Sequence, residues 1–197
     1  MTEGQGIGKQ VQKALLTGVS FMLPFVISGG ILIALGFLLG GYNVPSVEPY
    51  GSTFASTVFW LGKAAFAFMV PVVAAYIAYG IADRPGIAVG MVGGWMATDP
   101  WSIGQASGFI GGIVAGIIAG YLALSLRRIR LPEALGSLVP TLIIPVLGVG
   151  LEGLIMFYVV GAPLAALTAF LTELLNGLSG GSAIILGIVQ GCMLAFD

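Results

Sequence analysis

Long apolar runs set the pattern of this chain. Apolar residues fill Ala14 to Gly40 with few interruptions and resume at Thr57, Ala106, Leu138 and Ser182. Nowhere is there the strict alternation that marks a half-buried strand. Runs of roughly 20 residues, rising about 1.5 Å each as helix, match a hydrocarbon layer of about 30 Å. The pattern predicts an all-α membrane protein, a polytopic helical bundle. Its spans are expected at about 15–39, 57–81, 86–98, 106–126 and 138–161, after a polar tail over 1–14. From 162 to 179 the apolar residues are joined by Thr168, Thr172, Glu173 and Asn176 at helical spacing, which suits an interfacial linker helix. Residues 180–197 read as the start of a sixth span.

The stretch from Gly86 to Thr98 is short for a crossing, and charge settles how to read it. If it crosses, Lys9, Lys13, Arg84, Arg127, Arg128 and Arg130 fall on one side and only Lys63 towards the other. If it does not, the arginine cluster lies opposite the N-terminus. The positive-inside rule prefers the first arrangement, with a cytoplasmic N-terminus. Tilt or local thinning accommodates the short span.

Composition agrees. Hydrophobic residues make up 58% of the 197 and charged residues 8%, against about 25% charged in a soluble domain. Lipid must be much of the solvent. The net charge of -1, without a basic patch, gives no reason to expect nucleic acid. There is no histidine, and cysteine occurs once, as Cys192. A disulfide within the chain and a Cys/His metal site are therefore excluded, and no cofactor is expected.

Glycines recur every four residues at Gly86, Gly90 and Gly94, and again at Gly108, Gly112, Gly116 and Gly120. Each set makes a bare stripe on one helix face, which lets backbones approach in lipid. The plainer reading is tight packing. The functional one is a helix pair that slides or lines a path. Pro24, Pro71, Pro140 and Pro145 fall in or near spans, where each removes a backbone hydrogen bond and kinks its helix.

Three polar positions within the runs stand out. Lys63 is near a span end and can snorkel. Glu152 lies about midway along its span, where a charge on a lone helix costs about 2.5–3.5 kcal/mol. It therefore needs a partner, water or its own proton. Asp197, after Ala195-Phe196, is suited to contact a hydroxylated substrate. The last run reaches Asp197 with no helix stop signal, so the sequence reads as the front part of a longer protein.

Ser20-Phe21-Met22-Leu23-Pro24-Phe25-Val26-Ile27-Ser28-Gly29-Gly30 resembles the opening span of the fructose-family enzyme IIC, the membrane permease of the bacterial phosphoenolpyruvate-dependent sugar phosphotransferase system. Ile81-Ala82-Asp83-Arg84-Pro85-Gly86 resembles that family's second-to-third-span junction. Asn176-Gly177-Leu178-Ser179-Gly180 and Ala195-Phe196-Asp197 are also similar to it. The resemblance implies a scaffold of five spans that dimerises, followed by the entrance to a sugar-transporting core. It implies fructose or a related sugar as substrate, with Asp197 as a contact, and phosphorylated enzyme IIB as partner. Asp83 and Arg84 are candidates for meeting that partner, or else simply anchor the topology. The implied location is a bacterial or archaeal cytoplasmic membrane. No residue here matches a phosphoryl carrier, since histidine is absent and Cys192 sits in an apolar run. Two positions depart from the family pattern: Val89 replaces a frequent proline, and Glu152 stands where an apolar residue is expected. Two rival readings remain open. One is an ion-coupled secondary transporter using Glu152. The other is a non-catalytic, glycine-zippered assembly subunit.

Overall fold

The computed structural model describes residues 6–47, 53–98, 107–128, 139–179 and 187. Seven α-helices order these residues: α1 (Ile7–Gly40), α2 (Phe54–Ala67), α3 (Met69–Ala82), α4 (Arg84–Thr98), α5 (Gly108–Leu126), α6 (Ile144–Ile155) and α7 (Gly161–Ser179). By length and composition, four helical stretches among the described residues suffice to cross a membrane: Ile7–Gly40, Phe54–Ala82, Gly108–Leu126 and Pro140–Glu173. The chain is a multi-pass membrane protein.

The sequence explains where these helices bend. Pro71 has no N–H for the carbonyl of Ala67, four residues back, and its ring crowds that carbonyl. The helix accordingly breaks at Phe68, dividing α2 from α3. Thr53 starts α2 as a side-chain cap, its Oγ1 accepting from the Ser56 N–H at 3.3 Å. Pro145 acts similarly on α6, which is preceded by a π-helical turn at Val139–Ile143. A second π turn, Met156–Val160, joins α6 to α7, and Pro163 follows it. Such wide turns absorb hydrogen bonds that prolines interrupt.

Two elements differ from expectation at their starts. The helical backbone of α1 begins at Ile7, inside the stretch read as tail, because Lys9, Gln10, Gln12 and Lys13 are good helix formers with no breaker among them. The stretch read as an interfacial linker helix forms α7, which joins α6 through the π turn, since a widened turn re-aims a helix without ending it.

Glycine governs the packing. α1 runs antiparallel to α2 and α3 along its length: Gly36 faces Phe59, Gly29 faces Gly62, Gly18 faces Val73 and Ile77, and Ala14 faces Gly80. α4 then folds back along α3. A Cβ built on Gly86 would lie 2.7 Å from the Ala78 carbonyl oxygen, and one on Gly90 2.6 Å from that of Ala74. Gly94 abuts Val70 and Pro71. α5 returns along the same helix, with Gly112 at Val70, Gly116 at Ala74 and Ile77, and Gly120 at Ile81. Both ladders thus close on α3, which is buried along nearly its whole length. Gly108 is the exception. A Cβ there would meet nothing within 4 Å, and its φ of +62° marks it as the left-handed residue that lets the chain enter α5.

α4 and α5 therefore form a hairpin whose open end is at Asp83 and Arg127 and whose closed end is level with the Pro71 break. The 15 residues of α4 span about 22 Å at helical rise, less than the hydrocarbon layer. Around the bundle, apolar side chains such as Leu16, Leu23, Ile27 and Leu38 of α1 stay exposed, as a lipid-facing surface requires.

Candidate functional site

α6 packs against the other side of the α4–α5 hairpin. One stripe of α6 and its following turn makes the contact: Ile144, Gly148, Glu152 and Met156, all buried. Four-residue spacing keeps them on one face. Ile144 joins a cluster with Ala78, Ala82, Val89, Ala119 and Ala123. Gly148 abuts Val89. Met156 joins Val70, Ala97 and Ala115. Between these apolar contacts sits Glu152, with 0% of its surface exposed.

The Glu152 side chain fits because α4 has a glycine opposite it. A Cβ on Gly93 would lie 2.6 Å from Glu152 Oε1 and 3.0 Å from its Cγ, with the Ala115 methyl of α5 at 3.2 Å. Neither carboxyl oxygen has a hydrogen-bond partner among the described residues. This is a carboxyl in an apolar notch, the costliest kind of polar burial.

Gly93 lies outside the ladders that sequence spacing picks out. The signal is nonetheless present in the adjacent pairs Gly93-Gly94 and Gly111-Gly112. In each pair the second glycine faces α3, and the first, about 100° round the helix, faces elsewhere. Gly93 meets Glu152, while Gly111 is closed by Ser107 of its own helix entrance and by Ala97. A glycine doubled beside a ladder marks a second packed face.

The open end of the hairpin is the second candidate. Asp83 ends α3 with φ 63° and ψ -157°, a backbone region that is essentially glycine's and costs another residue about 1–3 kcal/mol. Its N–H donates to the Tyr79 carbonyl at 2.8 Å, and its own carbonyl accepts from Gly86 N–H at 3.0 Å. The side chain, 72% exposed, lies 4.0 Å from the Arg127 guanidinium at the end of α5. Arg84 is exposed beside it. Because Ala14 of α1 is level with Gly80, Lys13 and Lys9 lie at this end too. Lys63 is exposed on α2, remote from them along the bundle. With Arg128, five cationic residues among the described ones thus gather at one end, together with the Asp83 carboxylate. Glu152 is inside the bundle and does not join them. Asp197, Cys192 and Arg130 lie outside the described residues.

Residues 16–197 match the profile of the family described as Phosphotransferase system, EIIC. The chain belongs to that family. It is 54% identical, over 94% of its length and 31% of the relative's, to the "PTS system fructose-specific EIIB'BC component" of Xanthomonas campestris pv. campestris. It is 43% identical, over 98% of its length and 30% of the relative's, to the "PTS system fructose-specific EIIABC component" of Bacillus subtilis. With the "Fructose-like permease IIC component 2" of Escherichia coli it shares 40% identity over 100% of its length and 53% of that protein's. The chain therefore spans between about a third and a half of these relatives. No solved structure matches it. Within this EIIC chain, the Asp83–Gly86 turn stands out as a site whose side chains are presented outward, and Glu152 as one shut inward.

Proposed function

We propose that this chain is part of a fructose-type sugar permease, an EIIC that carries sugar across the cytoplasmic membrane while a phosphorylated EIIB supplies the phosphoryl group. The observation that carries this reading is the family match over residues 16–197, reinforced by relatives named as fructose-specific components in which EIIB and EIIC share one name. Phosphorylation makes uptake one-way, because a charged sugar phosphate does not recross hydrocarbon.

The gathering of Lys9, Lys13, Arg84, Arg127 and Arg128 at one end, with Lys63 remote from it, supports a cytoplasmic N-terminus. That orientation turns Asp83 and Arg84 towards the side where EIIB works, which makes the turn a candidate docking edge. A homodimeric scaffold of five spans, with the short α4 as one of them, is part of the same reading. So is Asp197 as a sugar contact.

The test is uptake of labelled fructose by membrane vesicles carrying the intact protein, with and without phosphoenolpyruvate and the soluble phosphoryl carriers. Sugar phosphate inside the vesicles, formed only with the donor chain, is the expected result. Free sugar accumulating on an ion gradient would replace this reading with that of an ion-coupled transporter using Glu152. Absence of any sugar uptake would favour an assembly subunit.

A further inference from the structure

The buried stripe of α6 contains one residue out of character. Ile144, Gly148 and Met156 meet apolar partners. Glu152, between them, has two unpartnered oxygens, and its Oε1 lies 2.6 Å from where a Cβ on Gly93 would be. Any apolar side chain of similar size would avoid this cost. A carboxyl is tolerated in such a place when another arrangement of the helices satisfies it. The structure provides a means of reaching one. α6 is a 12-residue segment bounded on both sides by π turns, whose widened hydrogen bonding lets a helix be re-aimed without unfolding its neighbours. At the centre of its contact with α4, Val89 seats against the bare backbone of Gly148, where a Cβ would lie 2.6 Å from Val89 Cγ2.

We propose that α6 withdraws from α4 during the working cycle, opening the Val89–Gly148 contact so that water reaches the Glu152 carboxyl. The arrangement seen here is the closed one. The carboxyl is the wedge that keeps closure from being too favourable, and Gly93 is the notch that makes closure possible. The proposal rests on the transport reading for the existence of a cycle, but it requires no particular sugar.

A reversible cross-link tests it. A Cβ on Gly148 lies 3.6 Å from that of Val89, inside the roughly 3.5–4.5 Å that a disulfide needs. The variant is Val89→Cys with Gly148→Cys, made in the intact protein with its other thiols replaced, beginning with Cys192→Ser. Oxidation is expected to cut sugar uptake by about tenfold or more, and reduction to restore it, because the cross-link blocks a gating motion. In the second arm, Glu152→Cys in the same background is exposed to a small water-soluble cationic thiosulfonate. Labelling is expected while the introduced thiol pair is reduced and should fall by about tenfold or more once the pair is bridged. Full uptake with the bridge verified by mass would overturn the proposal. So would a thiol in place of Glu152 that is labelled equally in both states. If the reduced protein takes up no sugar with the donor chain present, the transport reading fails. The labelling arm then still decides whether α6 moves.

Discussion

The α4–α5 hairpin is held from two sides, and the two sides are built differently. Towards α3, six glycines bring backbone against backbone: Gly86, Gly90, Gly94, Gly112, Gly116 and Gly120. Their nearest neighbours there are backbone atoms and apolar side chains. In lipid, where apolar residues gain nothing by leaving the solvent, such close approach is what holds helices together, through dispersion and exclusion of lipid. Towards α6 there are also glycines, Gly93 and Gly148, but one of them faces a carboxyl. This separates a structural contact from a conditional one. A face made of closely packed backbone and apolar side chains, with no buried ionisable group, has no such reason to open. One with a buried, unpartnered carboxyl has a standing reason to.

Substitutions on the tight side should have the largest effect. Gly90→Leu places a side chain where even a Cβ would lie 2.6 Å from the Ala74 carbonyl oxygen. Backbone cannot yield as a flexible side chain does, so the variant is expected to lose about 3 kcal/mol, the upper end of the usual overpacking cost, and to accumulate poorly in the membrane. Gly116→Leu meets the same carbonyl at 2.7 Å from the α5 side and should behave alike. Thermal unfolding in detergent, with the fraction recovered as folded protein, measures both. If either variant folds normally, α3 is not the fixed centre of the bundle and the contrast between the two sides collapses.

On the conditional side the sign reverses. Glu152→Met keeps the side-chain length, removes the two unpartnered oxygens, and is expected to stabilise the packed arrangement by about 1–3 kcal/mol. Thermal unfolding should show the gain, and sugar uptake should fall as the closed state becomes too favourable. A destabilised Glu152→Met protein would mean that the carboxyl is satisfied in the packed state and the two sides are alike.

Much of this is legible in the sequence, and the part that is not has a physical cause. The apolar runs and the one-sided basic residues are enough to give membrane-crossing helices and a shared end for the Asp83 turn and the last residues of α5. The two ladders correctly indicate close packing because a four-residue period leaves no choice of face. Their common partner cannot be read, since a ladder says that something approaches closely but not which helix. Glu152 is recognisable as costly in hydrocarbon, yet its neighbour Gly93 is hidden beside a stronger periodicity. The extension of α1 to Ile7 escapes a reading by polarity, which makes these residues a tail although only Gly8 among them, in the first turn, disfavours a helix. The candidate sugar contact at Asp197 lies outside the described residues, so it stands on resemblance alone.

The notch itself can be tested by a pairwise measurement. Gly93→Ala brings a methyl to within 2.6 Å of Glu152 Oε1, and moving a buried carboxyl aside should cost about 1–2 kcal/mol. In a Glu152→Ala background the same methyl enters vacated space, and its cost should largely vanish. The double-mutant cycle should therefore give a coupling of about 1 kcal/mol or more, as for residues in direct contact. Additivity within about 0.5 kcal/mol would place the carboxyl elsewhere and remove the ground for treating the α6 side as special.

The smallest effect is expected at the turn that joins the tight side to itself. Asp83 occupies a glycine-type backbone region between α3 and α4, at a cost of about 1–3 kcal/mol. Its ion pair with Arg127 is open to solvent and 4.0 Å long, so it returns no more than about 1 kcal/mol and less in salt. On these terms glycine is the better residue for the fold, and Asp83→Gly should raise stability by about 1 kcal/mol. Arg127→Gln, which removes only the ion pair, should change stability by less than about 1 kcal/mol and by still less at high salt. The carboxylate is then retained for what it presents at the basic end rather than for holding α3 to α4. The prediction separates these roles: Asp83→Gly should unfold at a higher temperature yet show slower phosphoryl-dependent uptake. If it unfolds at a lower temperature, the turn is part of the clamp on α3, and the tight side depends on a surface ion pair as well as on its glycines.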